Sequence, residues 1–193
     1  MPLLTTYRRG LGAFTDRVAQ VRPDQWSAPT PCADWDVRAL VNHIVYENRW
    51  TVPLLHGATM ADVGDRFEGD LLGDDPVAAA REAAAEADRA AREPGVLDRT
   101  VALSFGDTPA EEYLRQLLAD HVVHGWDLAA AIGAQRHLDD EAAAEVAAWF
   151  AEREDTYRQV GAIAERVRVG PDAQVHDRLI AAFGRNPRWS PRA

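Results

Sequence analysis

The clearest helix start in the sequence lies at residues 108–111, which read Thr-Pro-Ala-Glu. Thr108 is a suitable N-cap, Pro109 fits the first helical position, and Glu111 completes a capping box. Apolar side chains recur at helical spacing from there to Ile132, and Gly133 follows as a C-cap residue. Because so long an apolar stripe must be buried against other elements, the segment predicts one helix of a helical bundle.

Five other stretches show helical periodicity, and proline, glycine and capping residues separate them. The predicted helices cover residues 3–21, a segment from 37 onward that is capped by Asp36, 77–92 after Asp75 and Pro76, 139–155, and 172–183. Loops are expected at 26–35 and at 54–75, the latter with one short turn of helix, and a short extended piece at 99–104. We predict an all-α single domain, with a core bundle over about 1–134 and a C-terminal helical extension over about 135–193.

Composition excludes several classes of function. The formal net charge of −10 argues against binding to nucleic acid, which needs a basic surface. No apolar run reaches the length of a membrane span, and residues 1–9 lack the features of a signal peptide. All 21 basic residues are arginine, so a lysine Schiff base is excluded. Cys32 is the single cysteine, which fits a reducing compartment, and we expect a soluble, cytoplasmic protein.

The residues that could carry chemistry lie on two of the predicted helices. Asp120 and His124 are four residues apart, so their side chains stack on one flank of the helix that ends at Ile132. A carboxylate and an imidazole at this spacing can bind one metal ion from adjacent turns. His43 flanks the apolar stripe of an earlier helix. If the two helices are neighbours, three ligands converge and a fourth position stays open, as in catalytic zinc sites.

Several alternatives stay open from the residues alone. An Asp–His pair at this spacing is also common as a solvated surface pair. His121 lies nearer the centre of the apolar stripe than His124, so it competes as the ligand or is a buried core histidine. Glu47 is either a surface residue or a further ligand. Asp127 could hold the imidazole of His124 or pair with an arginine. Cys32 could be a reactive or an inert thiol. The other histidines are expected to be structural: His56, His137 and His176.

Three separated motifs resemble one known family. Residues 26–35 (WSAPTPCADW) with 37–43 (VRALVNH) resemble the opening motif of the actinobacterial branch of the DinB-like superfamily, which includes proteins named for mycothiol-dependent maleylpyruvate isomerase. Residues 120–129 (DHVVHGWDLA) resemble the motif of that family's fourth helix, and residues 179–189 (LIAAFGRNPRW) resemble its tail. The resemblance therefore covers nearly the whole chain.

The resemblance implies a DinB-like four-helix bundle that binds a divalent metal. Zinc is the first choice, with nickel or another ion as alternatives, and the ligands would be His43, Asp120 and His124. It thus favours His124 over His121. In the isomerases we expect glutamate at the position of Asp120, and a fuller C-terminal domain than residues 135–193 provide. We therefore do not expect maleylpyruvate itself to be the substrate.

The resemblance also implies two classes of function. The first is a metal-dependent isomerase or S-transferase that uses a small thiol cofactor, such as mycothiol, on a small electrophilic substrate. The alternative is a noncatalytic metal-binding or ligand-sensing protein. A homodimer is expected by analogy alone. A pocket with convergent polar groups around the metal ligands would favour the enzyme.

Overall fold

The computed structural model describes residues 3–191, which are mostly helical, and the predicted all-α class is confirmed. The helices are α1 (Leu3–Val18), α2 (Val37–Leu55), α3 (Met60–Val63), α4 (Pro76–Ala91), α5 (Ala110–Ile132), α6 (Asp140–Ala151), α7 (Glu154–Gln159) and α8 (Val175–Ala182). The strands β1 (Thr100–Leu103) and β2 (Gly106–Pro109) pair as one antiparallel hairpin.

Four of the helices form the bundle. α5 packs against α1 and α2, and α4 packs against the same two helices from the other side. α1 and α5 approach closely at Gly10, where an added Cβ would lie 2.9 Å from the Cδ1 atom of Leu118. A larger side chain at Gly10 would therefore require the buried Leu118 side chain to move.

Helix α2 begins as its sequence predicts. The carboxylate of Asp36 accepts a hydrogen bond of 2.8 Å from the backbone N–H of Ala39, which satisfies one free donor of the first turn. The apolar positions of α2 are fully buried in the bundle: Val37, Leu40, Val41, Ile44 and Val45. This packing fixes the rotation of α2, and with it the direction in which the intervening polar side chains point.

The predicted capping box at 108–111 is wrong. Thr108 pairs with Val101 in the hairpin, and its hydroxyl bonds the carbonyl of Gly106 rather than a helix N–H. Pro109 lies at the end of β2 and directly precedes α5, without a side-chain cap. Residues 108–111 have the local pattern of a helix cap, but Thr108 and Pro109 pair with β1 in the hairpin instead. The C-cap is confirmed, because Gly133 ends α5 with a φ of 73°.

The C-terminal helices differ from their predicted bounds. The helix predicted at 139–155 is capped by Asp139 but ends at Ala151, where Arg153 turns back to donate to the carbonyl of Trp149 and to Glu112. α8 starts later than predicted, and α1 ends earlier. The division near residue 134 stays a prediction. Within residues 3–191 no helix is both long and apolar enough to cross a membrane.

Candidate metal centre

A folded proline-rich segment covers the site. The hydroxyl of Thr30 donates to the carbonyl of Trp35 at 2.8 Å and accepts from the N–H of Cys32 at 3.1 Å. Pro29 forms an isolated β-bridge with Asp36, which directly precedes α2. The segment is irregular, as predicted, but these bonds hold Cys32 and Trp35 in place beside the bundle.

The three sequence-predicted ligands face one another across α2 and α5. The Nε2 atom of His43 lies 3.9 Å from the Oδ2 atom of Asp120. The rings of His43 and His124 lie 5.1 Å apart between centroids and meet edge to face. The indole of Trp35 lies 4.6 Å from the His43 ring and 5.5 Å from the His124 ring. One aromatic side chain therefore shields both imidazoles.

The opposite edge of His124 is held by a buried polar network. Its Nδ1 atom lies 3.0 Å from the Oδ2 atom of Asp127, whose side chain is fully buried. Arg185 donates to the same carboxylate at 3.1 Å and to the sulfur of Cys32 at 3.3 Å. The thiol of Cys32 donates to Asp127 at 3.3 Å. Asp127 therefore both orients the imidazole and pairs with an arginine, so the two roles considered for it coexist.

Burial shifts the pKa values of the titratable side chains at and beside the predicted ligands. Burial lowers the pKa of His43 to about 4, despite the favourable charge of Asp120, so this imidazole is neutral at pH 7. Burial also disfavours the charged ring of His124, but the hydrogen bonds to Asp127 and Cys32 together with the charges of Asp120 and Asp127 outweigh it, and the pKa rises to about 9. Burial and the nearby charge of Asp120 raise the pKa of Glu47 to about 8.

His121 belongs to the core instead of the site. It is buried on α5, and its Nε2 atom bonds the Oδ1 atom of Asn48 at 2.9 Å. The rings of Tyr7 and Phe14 meet it edge-on. Burial lowers its pKa to about 4. His121 is thus a hydrogen-bonded core histidine, which was one of the two alternatives from the sequence.

Two imidazoles and one carboxylate are donor types that divalent metals such as zinc bind. Ligand atoms about 2.1 Å from one tetrahedral ion lie about 3.4 Å from each other, so the distance of 3.9 Å between His43 and Asp120 is close to that spacing. Since Asp127 occupies Nδ1 of His124, its Nε2 is the nitrogen available to a metal. Within residues 3–191, the donor atoms of Cys32, His124 and Asp127 all lie within 4.8 Å of one another. The donor atoms of the three predicted ligands, His43, Asp120 and His124, do not meet this limit.

A large cavity of about 1110 Å³ opens at these side chains. One part of its lining comprises Cys32, Trp35, His43, Asp120 and His124. Another part of the lining, the outer wall, comes from Glu112 of α5 and from four residues in or between α6 and α7: Trp149, Arg153, Thr156 and Tyr157. Both Trp149 and Arg153 donate to the carboxylate of Glu112 at 2.9–3.0 Å, so that wall is fixed. The three sequence-predicted ligands thus line a pocket of ligand size.

Comparison with known proteins identifies the family. Residues 7–129 match the model of the mycothiol maleylpyruvate isomerase N-terminal domain. The chain belongs to this family. Two Mycobacterium tuberculosis proteins described as uncharacterized, MT0763 and Rv0738, are each 34% identical to it over 149 residues, which is 75% of this chain and 75% of theirs.

A solved structure has the same fold. The crystal structure of a mutant of the mycothiol-dependent maleylpyruvate isomerase matches with a TM-score of 0.61, over 77% of this chain and 69% of that chain. The sequence identity is 18%, so the likeness shows the fold alone. The predicted DinB-like bundle of this isomerase family is confirmed.

Sequence reasoning did not assign site roles to two residues of this family member. Neither Trp35 nor Arg185 was given a role from the sequence, although both lie within motifs that resemble the family. The family resemblance of the motifs at 26–35 and 179–189 was the signal that could have pointed to these two residues. Periodicity could not find them, because Trp35 lies in an irregular segment and Arg185 follows the last helix.

Proposed function

We propose that this chain is a divalent-metal-dependent isomerase or S-transferase that uses mycothiol, or a similar small thiol, on a small electrophilic substrate. The observation that carries the proposal is the cavity of about 1110 Å³ whose lining includes His43, Asp120 and His124. A pocket of this size favours an enzyme over a shallow metal-binding surface. The family name and the fold of the solved isomerase support the thiol as cofactor.

The metal would be held by the two imidazoles and the carboxylate of Asp120. Zinc suits this set best, because it prefers nitrogen and carboxylate ligands, and nickel is an alternative. When bound, the ion supplies positive charge that keeps a nearby thiol deprotonated at neutral pH. His43 has an available lone pair at pH 7, since burial keeps its pKa at about 4.

The network behind His124 positions it. The hydrogen bond that His124 donates to Asp127 fixes the orientation of the ring, and a hydrogen bond from Arg185 holds Asp127 in place. Loss of a residue that holds a metal ligand in place by a hydrogen bond commonly lowers metal affinity by about 10–100-fold. The indole of Trp35 covers both imidazoles and keeps bulk water from that side.

Glu47 is the candidate for proton transfer. It lies one turn after His43 on α2, and its pKa of about 8 means that the carboxyl holds a proton at neutral pH. A group with a pKa near the working pH is suited to accept and return a proton during catalysis. Because Glu47 starts protonated at neutral pH, in the proposed reaction it would donate a proton to the reacting substrate, and the proton of the cofactor thiol would leave to solvent.

The outer wall would take the body of the cofactor and the substrate. The indole of Trp149 offers apolar surface, with the guanidinium of Arg153 stacked 5.2 Å from its centre and paired with the carboxylate of Glu112. Phe105 and Val160 are exposed at the cavity and offer further apolar contact. This combination suits a polar thiol conjugate together with a small, anionic or neutral electrophile.

The test is a thiol-dependent assay with zinc-loaded protein. Mycothiol would be combined with cis-configured unsaturated acids and with halogenated electrophiles, and both thiol consumption and cis–trans conversion would be followed. Conversion without thiol loss indicates an isomerase, and thiol loss indicates a transferase. His43→Ala and His124→Ala should abolish either activity. His56→Ala, an exposed histidine paired with Glu93 away from the cavity, should leave it unchanged.

Absence of turnover by fully metallated protein with every thiol and electrophile would refute the enzyme. Zinc bound by such inactive protein, and lost in His43→Ala, would instead support the noncatalytic metal-binding alternative.

A further inference from the structure

A second group of metal-type side chains lies on the surface, outside the cavity. His137 precedes α6, Asp140 begins it, and His176 lies in the first turn of α8. The Nε2 atom of His176 is 3.0 Å from the Oδ1 atom of Asp140, and the rings of His137 and His176 are 5.3 Å apart. One donor atom from each residue lies within 4.8 Å of the other two. None of the three lines the cavity.

The loop that carries His137 is held in place by the protein itself. Its backbone carbonyl accepts a hydrogen bond from Arg17 of α1. Leu138 is buried, and the carboxylate of Asp139 caps α6 through the N–H of Ala142. The imidazole of His137 and the carboxylate of Asp140 therefore start from a fixed backbone, and little ordering is needed to bind an ion.

The helix that carries His176 is also fixed. α8 packs on α6, and Leu179 and Ile180 are buried in the core. This packing faces the first turn of α8 towards the start of α6, which brings His176 to Asp140. The three donors therefore come from two segments that are far apart in sequence and adjacent in space.

The donor set selects the class of ion. Two imidazoles and one carboxylate are ligands of zinc and its neighbours, whereas magnesium and calcium prefer oxygen ligands only. A fourth position would be filled by water, because His137 and Asp140 are exposed. His56 and Glu93 form another exposed pair at 2.7 Å, but that pair belongs to no such three-donor group within residues 3–191.

We propose that His137, Asp140 and His176 form a second divalent-metal site, of zinc type, that ties α8 to the start of α6. α8 leads directly into Phe183 and Arg185, which both line the cavity. An ion at this surface site would therefore stabilise the segment that positions Arg185. The site does not depend on the proposed reaction, because it shares no residue with the cavity.

Zinc stoichiometry tests the proposal on the full chain. Metal-free protein would be loaded with zinc, passed through a desalting column and measured by elemental analysis. We expect His176→Ala to lose one zinc per chain relative to the unmodified protein, and Asp140→Asn to bind zinc more weakly at the same site. The same loss is expected in a His43→Ala, His124→Ala background. If that background fails to fold, the comparison in the otherwise unmodified chain decides alone.

His56→Ala is the matched control, because it removes an exposed histidine that is also paired with a carboxylate. Its zinc content should be unchanged. An unchanged zinc content in His176→Ala, or an equal loss in His56→Ala, would overturn the site. Millimolar magnesium should not displace the ion, and displacement would contradict the nitrogen donor set.

Hydrogen exchange tests the connection between the helices. Zinc should slow exchange of the backbone amides of α8 in the unmodified protein and in His56→Ala, but not in His176→Ala. Loss of one zinc without any change in exchange of α8 would show that the ion binds there without tying the helix.

Discussion

Two clusters of histidine and carboxylate lie in this protein, and they differ chiefly in burial. In the interior cluster, His124 bonds Asp127 at 3.0 Å and both side chains are almost completely buried. In the surface cluster, His176 lies at the same distance from Asp140, whose side chain is 81% exposed. The same pair of groups therefore occurs once in a low-dielectric environment and once in water.

This difference in burial decides how much each imidazole–carboxylate pair contributes to the stability of the fold. Water screens the surface pair and solvates each group when its partner is lost, so such pairs contribute little. In the interior, loss of one partner leaves the other without compensation, and the cost is several-fold larger. The interior cluster is thus part of the folding core, whereas the surface cluster becomes important only when an ion joins its members.

The largest expected effect is that of Asp127→Ala. Its removal leaves the guanidinium of Arg185 and the imidazole of His124 without their shared acceptor in the interior. We expect the free energy of unfolding to fall by about 3–5 kcal/mol. Urea denaturation of the metal-free protein, followed by circular dichroism, measures this change.

Asp140→Ala is the surface counterpart and should cost about 1 kcal/mol or less, because its carboxylate is mostly solvated. Equal losses in the two variants would show that burial does not distinguish the clusters.

A smaller effect, and of opposite sign, is expected for Glu47→Gln. The pKa of Glu47 is raised from 4.5 to about 8, so the folded state favours its protonated form. Ionisation therefore destabilises the metal-free protein progressively as the pH rises from about 4.5 to 8. Glutamine removes this penalty, and the variant should be more stable by on the order of 2 kcal/mol at pH 8.5. Near pH 4.5 the difference should be small.

Thermal unfolding in chelator across this pH range provides the measurement. Glu82→Gln alters a largely exposed carboxylate and should change stability by less than about 0.5 kcal/mol at either end. A gain for Glu47→Gln that is already complete at pH 4.5 would argue against the raised pKa.

The smallest effect is expected for His176→Ala in chelator. The variant loses only a surface pair, and alanine favours the helix more than histidine does. The free energy of unfolding should change by about 0.5 kcal/mol or less. Urea denaturation without metal is the measurement. A loss of about 2 kcal/mol or more would mean that the surface pair supports the fold even without an ion.

Much of the bundle follows from the sequence because its signals are local. Asp36 and Gly133 act at the helix ends as their residue types predict, since a cap needs only neighbouring backbone groups. Thr108 misled the prediction because its partner, Val101, lies in another strand. Similarly, the break after Ala151 accompanies the bond from Arg153 to Glu112, a long-range contact that no local pattern reveals.

At the candidate site, too, local features follow from the sequence and long-range contacts do not. The spacing of Asp120 and His124 on one helix follows from the sequence, and the family resemblance adds His43. Whether these three bind a metal stays a prediction. That Arg185 lies behind His124, and that Glu47 is half-buried beside Asp120, could not be read from residue types. Their roles depend on which helices are neighbours.

The sequence by itself determined the positions of the main helices though not all of their ends, the caps at Asp36 and Gly133, and the family. It did so because apolar periodicity, backbone capping and motif identity are properties of neighbouring residues. Only the tertiary structure decided which histidines are buried, because burial and dielectric environment come from distant segments. In the tertiary structure His121 is a core residue, His124 lines the cavity, and His137 and His176 lie together on the surface.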